Sequence, residues 1–320
     1  VHLFPRDLAV STSVEAAGMF ESVGKMLLKA KVIQHSNKTC TGFPPEFATA
    51  RQLLDTLEAP PKPQRVQTAA SNAYRLGCLA GASDDAEPTA FGNFAAVMPC
   101  DLQQSRLVWL SVLMGLPAEG ILLAGTLGME QDMFPTFAGF RSSSDDDYNV
   151  SRALWAASAR LSFDNGCMSD PIMRRNCLVL LLDLVRGRTT QRGTRCKEAA
   201  QELDEFINSI RRERRFHLPS RNITRALDDT IHLAERAEFV MNKKMRYDLS
   251  STMALLTGKP PDGQDEAADC PEFGSEEHFD EVFKCTEVED IQLLLCLGFG
   301  RHVMQAAPVE VPLNQTVFIV

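Results

Sequence analysis

The chain has 320 residues, a formal net charge of −9, 44% hydrophobic and 23% charged residues, which is ordinary for a soluble globular protein with room for one large domain or two lobes. Two Trp and three Tyr against 18 Phe and 12 Met exclude a sugar-stacking or antibody-like surface and point to adaptable packing. Nine cysteines, an odd count with no C-x-x-C pair, argue against a disulfide scaffold and for free thiols in a reducing compartment, cytoplasmic or nuclear.

The first residues, VHLFPRDLAV, do not resemble a secretory signal peptide, so the sequons at Asn37, Asn149, Asn222 and Asn314 are secondary to that reading. Thr12 with Glu15 predicts a capping box, and Met19, Val23, Met26, Leu27 and Ala30 predict an amphipathic helix over 13–32. Pro44 and Pro45 are read as the start of the next helix, whose stripe is Phe47, Ala50, Leu53, Leu54 and Leu57. APPKPQ (59–64) is a stiff connector, and a further helix fits 65–79 before an acidic loop.

Asp101 and Gln104 have the spacing of a helix cap. The stretch 107–129 is apolar with one charge, Glu119, but Pro117 interrupts it. It reads as two short buried helices, not one membrane span. The polar run 137–149 marks a lobe boundary. Asp170-Pro171 is read as an N-cap followed by Pro at the first helical position. The helix it opens runs to Gly187 and, with LVLLLDLV at its centre, reads as the central one. Cys196, Ala199, Ala200, Leu203, Phe206, Ile207 and Ile210 line one face of the next helix. Ser220 opens another through about 243, with Ile223, Leu227, Thr230, Ala234 and Met241 inward. Short helices at 248–256 and 287–299 flank an acidic, turn-rich stretch. Strand-like sequence lies only at the two ends, VHLFPRDLAV and VEVPLNQTVFIV. The class is therefore all-α: two helical lobes, 1–142 and 143–320, with extended N- and C-terminal arms.

Charge is unevenly placed. Residues 174–225 hold thirteen Arg or Lys against six Asp or Glu. Residues 262–290 hold twelve Asp or Glu against one Lys. Twelve of the thirteen cations are arginine, whose planar fork pairs phosphate bidentately. The candidate nucleic-acid contacts are Arg174, Arg175, Arg186, Arg188, Arg192, Arg195, Lys197, Arg211, Arg212, Arg214, Arg215, Arg221 and Arg225. They would follow a backbone without reading sequence, which fits RNA as the partner. The competing reading pairs them with acidic protein surface, such as 262–290. The apolar terminal arms either close their own lobe or dock on another copy, which would link subunits.

Motifs for common chemistries are missing: no G-x-S-x-G, H-E-x-x-H, G-x-x-x-x-G-K-[ST] or G-x-G-x-x-G occurs. His278, between Cys270 and Cys285, lacks zinc-finger spacing. Cys196 sits between Arg195 and Lys197, but it also begins an apolar stripe. Asp228, His232 and Glu235 fall on one helix face and form the one constellation suited to a divalent metal or an acid–base pair. The segment resembles the aspartate-rich helices of prenyl-transferring and terpene-forming all-α enzymes, while departing from their DDxxD pattern. The solvated polar face of an amphipathic helix explains it better.

Three functions follow as expectations. The first is a non-enzymatic assembly protein that coats nucleic acid, similar in general plan to the helical nucleoproteins of RNA viruses, without cofactor or membrane. The second is a structural subunit of a capsid or large complex. The third is a metal-dependent all-α enzyme centred on Asp228, His232 and Glu235.

Overall fold

The computed structural model describes residues 17–39, 49–57, 60–83, 86–127, 134, 146–185, 201, 205, 208, 220–245, 247–257, 279, 282–283, 286–299, 307–311 and 315–319. These residues are all-α apart from one C-terminal hairpin. The chain divides into two compact units, one made of 1–106 with 236–248 and the other of 107–235 with 249–320. The lobe boundary expected at 142/143 falls outside the described residues.

In the first unit, α1 (Ala17–Thr39) packs against α2 (Ala50–Asp55), α3 (Pro63–Arg75) and α4 (Ala90–Val97). Val23, Leu27 and Ala30 of the predicted stripe meet Ala50 and Leu54 of α2 and Ala69 and Ala70 of α3. The start of α2 differs from expectation. Pro44 and Pro45 lie outside the described residues, and the helix begins at a capping box, with the Thr49 hydroxyl accepting from Gln52 N (3.2 Å) and Gln52 Oε1 accepting from Thr49 N (3.0 Å). Pro63 opens α3, where its missing N–H costs no helical bond. Thr89 caps α4, accepting from Gly92 N (3.0 Å) and donating to Gly77 O (2.6 Å). A Cβ at Gly92 would strike the Cys78 carbonyl, so only glycine allows this approach.

Two lysines of α1 hold loops of the same unit. Lys31 is 2% exposed, and its ammonium donates to Ser83 O (3.3 Å) and Ala86 O (3.2 Å). Lys25 donates to Met98 O and Cys100 O. In both, carbonyl acceptors offset the cost of drawing a charged head out of water.

The second unit is built round α6 (Pro117–Leu127). Nine consecutive residues, Ala118 to Thr126, are buried. The predicted break at Pro117 is real: α5 (Leu102–Leu113) ends before it and α6 begins on it. The predicted cap is also real. Gln104 N donates to Asp101 Oδ1 (2.7 Å), and Asp101 N donates to Gln104 Oε1 (3.0 Å). Small residues bring helices close to α6. Gly120 lies against Ser111 of α5, and Gly125 against Thr230 of α9 (Ser220–Val240).

α7 (Asp146–Asp164) and α8 (Asp170–Val185) pack together, and α8 also packs on α6. α8 buries Ile172, Met173, Cys177, Leu178, Leu181 and Leu182 but leaves Leu180 exposed, so among the described residues the most enclosed helix is α6, not α8 as its sequence implied. Its start is shifted as well. Ser169 O accepts from Met173 N (2.9 Å), which makes Ser169 the cap and Asp170 the first helical residue. α10 (Ser250–Thr257) contacts α6 and α8, and α11 (Val288–Phe299) buries Ile291 and Leu294. β1 (Ala307–Val311) and β2 (Gln315–Ile319) pair antiparallel, with Val309 opposite Val317. The sequence expected an extended arm here; the N-terminal arm lies outside the described residues. No helix among the described residues is long and apolar enough to cross a membrane.

Candidate functional site

Most of the basic window, Arg186, Arg188, Arg192, Arg195, Lys197, Arg211, Arg212, Arg214 and Arg215, lies outside the described residues, as does the acidic stretch up to 278. Arg174 is half-buried on α8. Arg221 sits in the first turn of α9. Arg225 is exposed on α9, 3.6 Å from the Asp229 carboxylate one turn on.

Arg175 requires a correction to the sequence reading. It is 6% exposed and its guanidinium faces inward. Nε donates to Glu119 Oε2 (2.8 Å), Nη2 donates to Glu119 Oε1 and to Phe283 O (2.7 Å), and Nη1 donates to Asn176 Oδ1 (2.9 Å). The guanidinium carbon also lies 5.7 Å from the Phe283 ring centroid. Four of its five N–H groups are thus engaged within the protein. Arg175 is a clamp joining α8, α6 and the backbone at Phe283, and burial removes it from the phosphate-facing set.

Its partner Glu119 is fully buried. Burial pushes the Glu119 carboxyl above the usual carboxylate range, while the Arg175 hydrogen bonds and charge, and a hydrogen bond from Thr286, pull the other way. The signal was in the sequence: one carboxylate inside an otherwise apolar 23-residue stretch must find a cation once buried. What the sequence withheld was which cation.

Arg175 borders an open cleft of about 320 Å³, lined also by Asn165, Cys167, Asn176, Phe283 and Thr286 among others. Its rim is the turn after α7. There Asn165 and Met168 adopt positive φ (50° and 48°), and the Asp164 carboxylate accepts from Met168 N (2.8 Å) and Ser169 N (2.9 Å). Two Asp164 hydrogen bonds offset backbone conformations that non-glycine residues rarely adopt.

Asp228, His232 and Glu235 sit on the outer side of α9, whose inner side buries Ala226, Leu227, Thr230, Ile231 and Ala234. His232 Nδ1 lies 3.8 Å from Glu235 Oε2, and both side chains retain solvent exposure. Among the described residues, no group of three or more His, Cys, Asp or Glu is arranged to hold a metal ion. The helix has the two-faced character that the spacing predicted.

The described cysteines 78, 100, 167, 177 and 296 are free thiols. Burial pushes the Cys78 and Cys177 thiols up to about 12. Cys100 Sγ lies 3.3 Å from Ser105 Oγ, and burial raises its pKa against the opposing Ser105 hydrogen bond. Beside it, burial lowers the Lys25 pKa. Burial thus moves Cys78, Cys100 and Cys177 away from the depressed pKa of a nucleophilic thiol.

No protein-family model and no curated protein matches the chain.

Proposed function

We propose that the chain is a non-enzymatic assembly protein that binds nucleic acid, RNA in particular, through the arginines of 174–225 other than Arg175. The observation that carries this reading is the concentration of thirteen cations against six carboxylates within one window of a chain whose net charge is −9. Guanidinium groups in such density bind polyphosphate by charge and by bidentate hydrogen bonding, without sequence preference. Self-association through the terminal segments would turn binding into coating, and a nucleocapsid in a reducing compartment or inside a viral particle is the setting this plan fits. The test is binding of an RNA oligonucleotide across a salt series. Affinity should fall steeply with salt. Arg→Ala at 186, 188, 192 and 195 together should weaken binding and reduce the log–log salt slope by roughly 0.7 per lost contact on a single strand. A flat salt response, or unchanged affinity in the quadruple variant, overturns the reading.

A second reading has its own observation. Arg175 and Arg225, both in the window, pair with the carboxylates Glu119 and Asp229 of the same chain. If the remaining arginines do likewise with acidic segments of neighbouring copies, the protein is a structural subunit of a capsid or large complex. Assembly of nucleic-acid-free protein, reversed by salt, supports this. A monomer by light scattering at high concentration argues against both readings.

A further inference from the structure

α9 ends in a feature outside the basic window. Met241–Met245 winds as a π-helix, a rare local form that concentrates at functional sites. Tyr247 N closes the turn on Met241 O (3.2 Å). Within residues 236–247 stand four cations, Arg236, Lys243, Lys244 and Arg246, against one carboxylate, Glu238. Ala237, Val240 and Met241 are buried, which fixes the opposite face outward. On that face Phe239 is 51% exposed, and Tyr247 beyond the turn is 41% exposed.

An exposed phenylalanine alone is unremarkable on a protein surface. This one is set between cations. The Arg236 guanidinium carbon lies 5.4 Å and Lys243 Nζ 5.2 Å from its ring centroid. The spacing is i−3 and i+4, so all three side chains share one helix stripe. Arg236 is held by a bond from Nε to Val97 O (3.3 Å), which leaves both Nη groups for other partners. Lys243 is exposed on a flexible stem.

We propose that the stripe formed by Arg236, Phe239 and Lys243, with Tyr247, is a contact for single-stranded nucleic acid, in which unpaired bases stack on the aromatic rings and the flanking cations take the phosphates. It rests on the nucleic-acid reading above but names a second contact, in the other compact unit from the 174–225 window. Cations with interleaved exposed aromatics are the pairing that strand binding uses, because every base has a stacking face and every linkage a phosphate. An acidic peptide would satisfy the cations but gives no reason for an exposed ring set between them. A stacking base replaces Lys243 over the Phe239 ring, and the released ammonium turns to the adjacent phosphate.

The test uses the full chain with fluorescein-labelled oligo(U), oligo(dT) as a second probe, and oligo-glutamate as competitor, in anisotropy titrations across salt. F239A is expected to weaken oligo(U) binding by about tenfold without changing the salt slope, because stacking releases no counterions. K243A is expected to weaken it with a slope reduced by about 0.7. F239W should retain affinity, and its fluorescence should be quenched on titration beyond that of the parent chain, whose two Trp set the baseline, a readout independent of any stability change. If F239A and K243A bind like the parent chain while the Arg→Ala variant at 186, 188, 192 and 195 is impaired, this contact is wrong and the broader reading survives. If both sets impair binding, both stand. If the parent chain binds neither oligonucleotide, both fall. Competition by oligo-glutamate equal to that by unlabelled oligo(U), with no quenching of F239W by either nucleic acid, also overturns the contact and points to an acidic protein partner.

Discussion

Removing the Arg175 guanidinium would leave the Glu119 carboxyl enclosed with Thr286 as its remaining hydrogen-bond donor. R175M should therefore destabilise the protein by about 3–5 kcal/mol, read as a shift in the urea midpoint. The double variant E119L/R175M should recover much of that loss, since an apolar pair of similar volume leaves no buried charge unpaired. A double variant as unstable as R175M would show that the clamp to Phe283 O and Asn176, not the ion pair, is what matters. Cys177 offers a pH test. Its folded thiol titrates near 12, while an unfolded thiol titrates at about 8.5. The folded state keeps a proton that the unfolded state loses, so this contribution is complete below the unfolded value and disappears as pH rises through the folded one. The stability advantage of the parent chain over C177A should shrink between about pH 9 and pH 12, measured by urea unfolding at several pH values. An advantage constant with pH would refute the burial of this thiol.

At the scale of elements, helix ends and close approaches were unequally visible. The Asp101–Gln104 cap follows from local chemistry alone, because a carboxylate three residues before an amide can bond its backbone N–H whatever surrounds it. D101A should cost about 1 kcal/mol, checked by thermal unfolding. The Thr49–Gln52 box was equally local, yet the two prolines at 44 and 45 drew the predicted start upstream of it. The start of α8 was displaced by one residue because Asp164 and the turn it braces bring Ser169 to the cap position. Glycine contacts lie beyond such reasoning. At Gly92 a Cβ would collide with a backbone carbonyl, whereas at Gly115, with φ of 77°, the space is open. G115A should cost about 1–2 kcal/mol through its left-handed backbone. G92A should cost more, since the Cys78 carbonyl cannot rotate aside. Equal midpoints for the two variants would show that the close approach relaxes freely.

At the scale of the whole molecule, both α5 and α9 run across the division between the compact units. The first unit draws its last piece, 236–248, from the far end of α9, where Arg236 bonds Val97 O. A fragment of residues 1–106 should therefore unfold less cooperatively than one to which 236–248 has been joined by a flexible linker, a difference visible in circular dichroism melts. Equal cooperativity would show that 236–248 adds nothing to the unit. Chain order hid this arrangement. A division sought in the polar run 137–149 presumes that each unit is one continuous stretch, and nothing in local composition reveals a unit closed by a segment 130 residues away.

The amino-acid sequence by itself determined the helical class, the two-helix reading of 107–129, the inward placement of Val23, Leu27 and Ala30 on α1 and of Leu227, Thr230 and Ala234 on α9, and the separation of basic from acidic segments. Each of these depends on periodicity, capping or composition, which act within a few residues of chain. The tertiary structure alone decided that Arg175 belongs to Glu119 instead of to solvent, that α6 is the enclosed helix, and that Phe239 stands exposed between Arg236 and Lys243. The reason is physical. Whether a charge or a ring faces water depends on which distant elements cover it, and a residue's identity does not carry that information. Arginines 174 and 175 are neighbours with one chemistry, yet it is the second that α6 and Phe283 enclose as a buried clamp.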